Sequence, residues 1–436
     1  MRSSEFRALL SKDCRELFGS TAFTLLLLVA GPLTGMSFIA AMRAYAEASG
    51  AGGGAAALAS ALSPLDGLLV PTLGALDLLI TFLVPFVAIR LVSDEKRSGA
   101  LTLLLQAPQS VASQLVSKLV ALLSGWLLCL IPAFVAIALW LGYGGHLAIG
   151  ETANLLLGHT LRYLLTCCVA IVAASLLDSA ASAAIAVLSF TIGTWALDFF
   201  AAGRGGWIER LARYTPSAML RPFERGLLSL DSVVASSVAA LLLLVLAAAF
   251  VNVRAPFRAR AARATVVIVA AIALLFVPTN RSADVSEDRR NSFPPADEAL
   301  LHSIEQPLTI RMYLAAEDPR ANDYERNVLT KLRRSVRELR VDYPYAGQSA
   351  LFENDDRYGT IVYELGAKKA ESRSTTEEIV LDELETLAGR TPPARGESSY
   401  PGYPLRASPR GAAVLFHAVW PLLIVIVRRL CSRRTG

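Results

Sequence analysis

Charge is scarce in this 436-residue chain. Asp, Glu, Lys and Arg make up 18% of it, where a soluble globular chain carries about 25%. Apolar residues reach 54% and the mean hydropathy is +0.46. The imbalance is clustered: several runs of about 20 residues hold almost no charge, the length that crosses a ~30 Å hydrocarbon core at ~1.5 Å per helical residue. That pattern excludes a cytosolic enzyme, a disordered chain and a nucleic-acid-binding domain. Histidine and cysteine are thin as well. His146, His159, His302 and His417 are too scattered for a metal site, and Cys14, Cys129, Cys167, Cys168 and Cys431 show no ligand spacing, disulfide framework or redox motif. G-x-x-x-x-G-K-[ST], H-E-x-x-H and G-x-S-x-G do not occur, so no phosphate-cradling loop and no catalytic constellation is visible. Neither an enzyme active site nor a cofactor is expected.

What the chain does have is eight apolar segments, at roughly 21–42, 67–92, 115–141, 155–177, 181–201, 233–253, 264–278 and 411–427. They predict an all-α membrane bundle of about eight spans. No small-x-small cleavage site marks the first as a removable signal. Lys and Arg in the short loops set the orientation. Arg7, Lys12 and Arg15 before the first span, Arg90, Lys96 and Arg97 after the second, Arg258, Arg260 and Arg263 after the sixth, and Arg428 and Arg429 in the tail all fall on one side. That side is expected to be the cytoplasm, with both termini in it. The loop 202–232 is basic too, yet is placed outside. Residues 1–20 predict an amphipathic helix lying on membrane lipid, with Phe6, Leu9, Leu10, Leu17 and Phe18 at helical spacing among charged residues.

The domains expected are therefore 1–20, the interfacial helix; 21–253, a six-span bundle; 254–278, a basic loop and seventh span; 279–410, a polar extracytoplasmic domain; and 411–436, the last span and basic tail. Within 279–410 a helix is expected around 295–304, strands at 308–314 and 360–365, a long amphipathic helix at 323–340 and another at 376–387. Together they read as a small α/β domain, with 390–410 as a linker. Its acidic residues, such as Asp284 and Asp318, read as solvated. Ionisable residues inside spans are costly and often functional. Asp77, Arg162 and Asp198 are such residues, and Arg162 and Asp198 are placed to pair across adjacent helices. Gly31 and Gly35 allow close helix approach, and Pro32, Pro71, Pro85 and Pro132 interrupt helical hydrogen bonds.

One loop carries a specific pattern. Ser93-Asp94-Glu95-Lys96-Arg97-Ser98-Gly99-Ala100-Leu101-Thr102-Leu103-Leu104-Leu105-Gln106-Ala107-Pro108 resembles the cytoplasmic loop of type-2 ABC exporter permeases. The resemblance implies a short helix docking on a separate ATPase subunit, with Asp94, Glu95, Lys96 and Arg97 as charge contacts, Leu101, Leu104 and Leu105 filling a groove, and Gly99 and Pro108 as its bounds. Residues 214–231 resemble the same family's outer re-entrant segment at Pro216, Arg221, Pro222, Phe223, Arg225 and Gly226. A second stretch, Asp284-Val285-Ser286-Glu287-Asp288-Arg289-Arg290-Asn291-Ser292-Phe293, with Gln306-Pro307-Leu308-Thr309-Ile310 after it, resembles the auxiliary component of gliding-motility-type ABC systems, here fused behind a permease and shortened. These resemblances imply a permease subunit in the bacterial inner membrane. It would work as a homodimer or with a related permease, beside two copies of an ATPase, and export an unidentified substrate. The alternative they imply is a subunit that transmits ATP-driven motion to an extracytoplasmic partner through 279–410.

Overall fold

The computed structural model describes residues 3–51, 63–104, 106, 110–201, 206–251, 256–274, 281–315, 318–345, 356–393 and 400–435. In chain order the elements are α1 (Ser3–Gly19), α2 (Thr21–Ala51), α3 (Leu65–Ser98), α4 (Ala100–Leu104), α5 (Val111–Gly142), α6 (Ile149–Leu176) and α7 (Ala180–Ala201). Then come α8 (Gly206–Ala212), α9 (Pro216–Glu224), β1 (Leu227–Ser229), α10 (Leu230–Val251), α11 (Phe257–Leu274), β2 (Ser282–Asp284), α12 (Pro295–His302) and β3 (Leu308–Met312). The rest are α13 (319–335), β4 (Leu339–Asp342), β5 (Ile361–Leu365), β6 (Lys368–Ser372), α14 (Glu377–Leu387) and α15 (Ala412–Leu430). They divide into two compact units.

The first unit, Met1–Gly193, Ser232–Val277 and Pro401–Gly436, is helical. Seven helices among the described residues are long and apolar enough to cross a membrane: α2, α3, α5, α6, α7, α10 and α15. The eighth expected span, 264–278, does not join them. Arg258, Arg260 and Arg263 fill the first turns of α11, and the end of the expected span, 275–278, lies outside the described residues. Pro85 and Pro132, lacking an N–H, follow breaks in α3 at Leu83 (φ −108°) and in α5 at Leu130, whereas α2 runs on through Pro32.

Two glycines of α2 have a definite use. A Cβ on Gly31 would lie 2.1 Å from the Trp420 ring and one on Gly35 2.2 Å from Phe416, so only glycine lets α15 seat there. Trp420 Nε1 also donates to Leu27 O at 2.7 Å. The expected linker is partly a strap. Tyr45 Oη donates to Tyr403 O at 2.7 Å, and Arg406 Nη2 to Gly50 O at 3.1 Å, which covers the carbonyl end of α2.

The second unit is Thr194–Asp231 with Pro278–Tyr400. Its four-stranded sheet has the order β4-β3-β5-β6, with β3 and β4 parallel and the other pairs antiparallel. Alternation along β3 buries Leu308, Ile310 and Met312 against Leu301 of α12, Leu332 of α13 and Leu384 of α14. The opposite face carries Arg311, Glu364 and Lys369, with Glu364 accepting from both cations at 3.1 and 2.8 Å. The expected helix 323–340 is shorter at its C-terminal end. Val336 turns extended (φ −104°, ψ 136°), because Leu339, which also continues the helical stripe, alternates with Val341 and the two complete β3's edge opposite Leu308 and Ile310. A second, two-stranded ribbon pairs β1 with β2 in antiparallel register, Leu227 opposite Asp284.

Candidate functional site

The C-terminal turns of α3 and the short α4 form the most densely braced corner of the bundle. Gly99, at φ +76°, caps α3 in the left-handed conformation that glycine adopts without strain. Ser110 accepts from Ser113 N at 3.1 Å and starts α5, while Gln114 Nε2 holds Leu104 O at 2.9 Å. Lys96 turns inward. Its ammonium donates to Ala174 O, Ser175 O and Leu177 O at 3.0, 3.1 and 3.0 Å, satisfying the carbonyl end of α6 and opposing its dipole.

Glu95 is buried too, and its partners were not apparent from the loop pattern. It accepts from Lys12 of α1 and sits 2.7 Å from Lys118 of α5. Lys118 reaches Asp13 at 3.2 Å, and Ser117 Oγ donates to Asp13 at 2.6 Å. Burial works against the Lys12 ammonium, but Glu95, Asp13 and Glu16 around it hold its pKa above the ordinary lysine value. Asp13, Glu16 and Glu95 are the one group of carboxylates among the described residues close enough to share a cation, and the ammonium groups of Lys12 and Lys118 meet that need. The network binds α1, α3 and α5 into one piece. A sequence signal existed: Asp13 shares an i, i+4 stripe with Leu9 and Leu17, both buried, and Lys118 interrupts an apolar run.

Asp94, Arg97 and Leu103 remain at the surface; Leu103 is 70% exposed. Leu101 and Leu104 are half-buried, while Leu105 and Pro108 lie outside the described residues. Between α1 and α3 a cavity of about 490 Å³ is lined by Arg15, Glu16, Leu17, Arg90, Asp94 and Glu95.

Arg162 and Asp198, expected to pair, each have a partner within their own unit. Arg162 Nε lies 3.4 Å from Asp77 Oδ1 instead, and Asp198 accepts from Arg221 of α9. Each carboxylate takes the guanidinium nearest in its own unit. In α9, Pro216 and Thr215 begin the helix, with Thr215 accepting from Ala218 N at 3.2 Å. Pro222 lies inside the helix, Phe223 is buried and Arg225 ends it. Gly226 (φ +73°) turns the chain into β1.

The ribbon joins this segment to 282–293. Val285 N donates to Gly226 O at 3.0 Å and Asn291 Nδ2 to Arg225 O at 2.6 Å. Asp284 is its hub and is not a solvated loop residue. It accepts from Ser286 N at 3.0 Å, Asn291 N at 3.1 Å and Ser292 Oγ at 2.8 Å. Burial pushes its pKa up, but the donors of Ser286, Ser292 and Asn291 prevail and hold it below the ordinary aspartate value. Asp318 caps α13, accepting from Arg320 N at 2.9 Å.

These features define a multi-pass helical membrane protein that carries a small α/β domain. No protein-family model matches the chain, and no curated protein does.

Proposed function

We propose that the chain is the transmembrane permease subunit of an ABC-type exporter, driven by a separate ATPase subunit that docks on α4 and the end of α3. The observation that carries this reading is the bracing beneath an exposed short helix. Three carbonyl bonds to Lys96, a buried Glu95–Lys118 pair and a pinned Leu104 make the end of α3 a rigid base for α4. A lever that takes a push needs such a base. With Glu95 and Lys96 turned inward, the docking contacts fall to Asp94, Arg97 and Leu103. In this reading the Ser98 end of α3 faces the cytoplasm. Little of α7 and α10 is covered within the chain, which suits a paired arrangement of permeases. ATP moves the bundle only if the nucleotide-bound ATPase interacts differently with its two states. The test is co-isolation: Arg97→Glu with Leu103→Asp, both at the surface, should lose the ATPase while the folded chain stays in the membrane. Retention of the ATPase contradicts the docking assignment.

A second reading, transmission of motion to an extracytoplasmic partner, is favoured by the ribbon that fastens 216–231 to 282–293. Replacing 294–400 with a flexible linker separates the two. An exporter keeps substrate-stimulated ATP hydrolysis, whereas a transmitter loses its partner and its phenotype together.

A further inference from the structure

Halfway along α3 and α6, polar side chains meet in the bundle interior. The two helices run in parallel: Asp77 contacts His159, Thr81 contacts Arg162 and Lys96 contacts Leu177, with sequence separations of 82, 81 and 81. Asp77 Oδ1 is shared, 3.2 Å from His159 Nδ1 and 3.4 Å from Arg162 Nε. A carboxylate only accepts, so with Asp77 ionised the imidazole proton facing it is on Nδ1. That leaves Nε2 with a lone pair. His159 is 0% exposed, and Nε2 is buried with no hydrogen-bond partner. Asp77 and Arg162 would satisfy one another without it. An acceptor buried with nothing to accept is unfavourable.

Around the pair the lining of α3 is apolar on both sides: Leu69, Leu73 and Leu76 toward the Leu65 end and Val84, Val87 and Ala88 toward the Ser98 end. The groups facing His159 on the packed elements are Asp77 and Thr81 of α3 and Arg162 of its own helix. Tyr163 Oη is directed to Leu122 O of α5, beside Cys129 and Cys167. Lys96 and Lys118 are engaged at the far end.

We propose that His159 is an intramembrane proton-binding site. Asp77 is its counter-ion and Arg162 the cation that competes with it. A proton from water adds to Nε2 and later returns to water; no other bond forms or breaks. The imidazolium claims the shared Oδ1 and loosens Arg162, so protonation alters the α3–α6 contact. This inference is independent of the ABC reading.

The test is nitrogen NMR of the full-length protein in lipid nanodiscs, labelled at histidine, with His159→Gln identifying the His159 signals among the four histidines. Above about pH 8 the expected state is the neutral ring protonated on Nδ1, converting to imidazolium as the pH falls to about 5. Asp77→Asn should move the midpoint down and Arg162→Gln up, each by about one unit or more. A wild-type ring protonated on Nε2, or one neutral state across the whole range, overturns the proposal, even where a variant fails to fold. Folded variants that leave the midpoint unmoved overturn it as well.

Discussion

Two lone charges in apolar or polar surroundings decide how much is held together. Lys118 compensates both Glu95 and Asp13; without it these carboxylates keep only the half-buried Lys12, and breaking a buried ionic group costs about 3–5 kcal/mol. Lys118→Met is therefore expected to lower the melting temperature of the detergent-solubilised chain far more than Arg97→Met, since Arg97 is exposed. Similar melting temperatures would show that the network is not what braces the corner. Asp284 plays the corresponding part in the second unit. Because its folded pKa, like that of Asp318, is depressed, the stability it gives is complete above the ordinary carboxylate range near about pH 4 and is lost as the pH falls through the folded value. Asp284→Asn should speed protease cleavage within 282–293 at neutral pH and remove the part of the acid sensitivity that belongs to this segment. At residue level the sequence shows which charges are out of place, such as Asp77 and Arg162. It does not show their partners, because pairing depends on helix register: Asp77 meets Arg162 only through the parallel offset of α3 and α6.

The seat for the last helix belongs to the element scale. Gly31 and Gly35 receive rings from α15 at distances that exclude a Cβ. Gly35→Leu should detach α15, measured as lost cross-linking between cysteines placed at Leu28 and Val419, while Gly193→Leu, which meets nothing within 4 Å, leaves it intact. Most elements were legible because their periods are clean: the apolar runs of α2 to α7, the alternation of β3, the acidic start and apolar stripe of α14. Where a stretch satisfies two periods, the tertiary partner decides. Leu339 fits the face of the expected helix and, alternating with Val341, a strand face, and β3's edge takes the pair as β4. The strap at 403–406 was illegible for the opposite reason. Its composition is that of a linker, and only the open carbonyl end of α2 gives it a place.

At the scale of the whole molecule, a chain with no nucleotide-binding motif presents a short helix, α4, beside a corner fixed by buried charge, and a second unit whose sheet domain is knitted by β1 and β2 to the segment before α10. Composition announced the membrane, because long apolar runs leave no other solvent for them. The proposed use of α4 as a lever rests on the loop's resemblance and on its bracing. The most direct measurement is to isolate the full-length chain from its native membrane under mild detergent, then assay it with and without whatever accompanies it. A nucleotide-hydrolysing subunit should come with the wild-type chain and be lost from the Arg97→Glu, Leu103→Asp variant, and the chain alone should hydrolyse nothing. Hydrolysis by the stripped chain, or a wild-type isolate with no such companion, would contradict it.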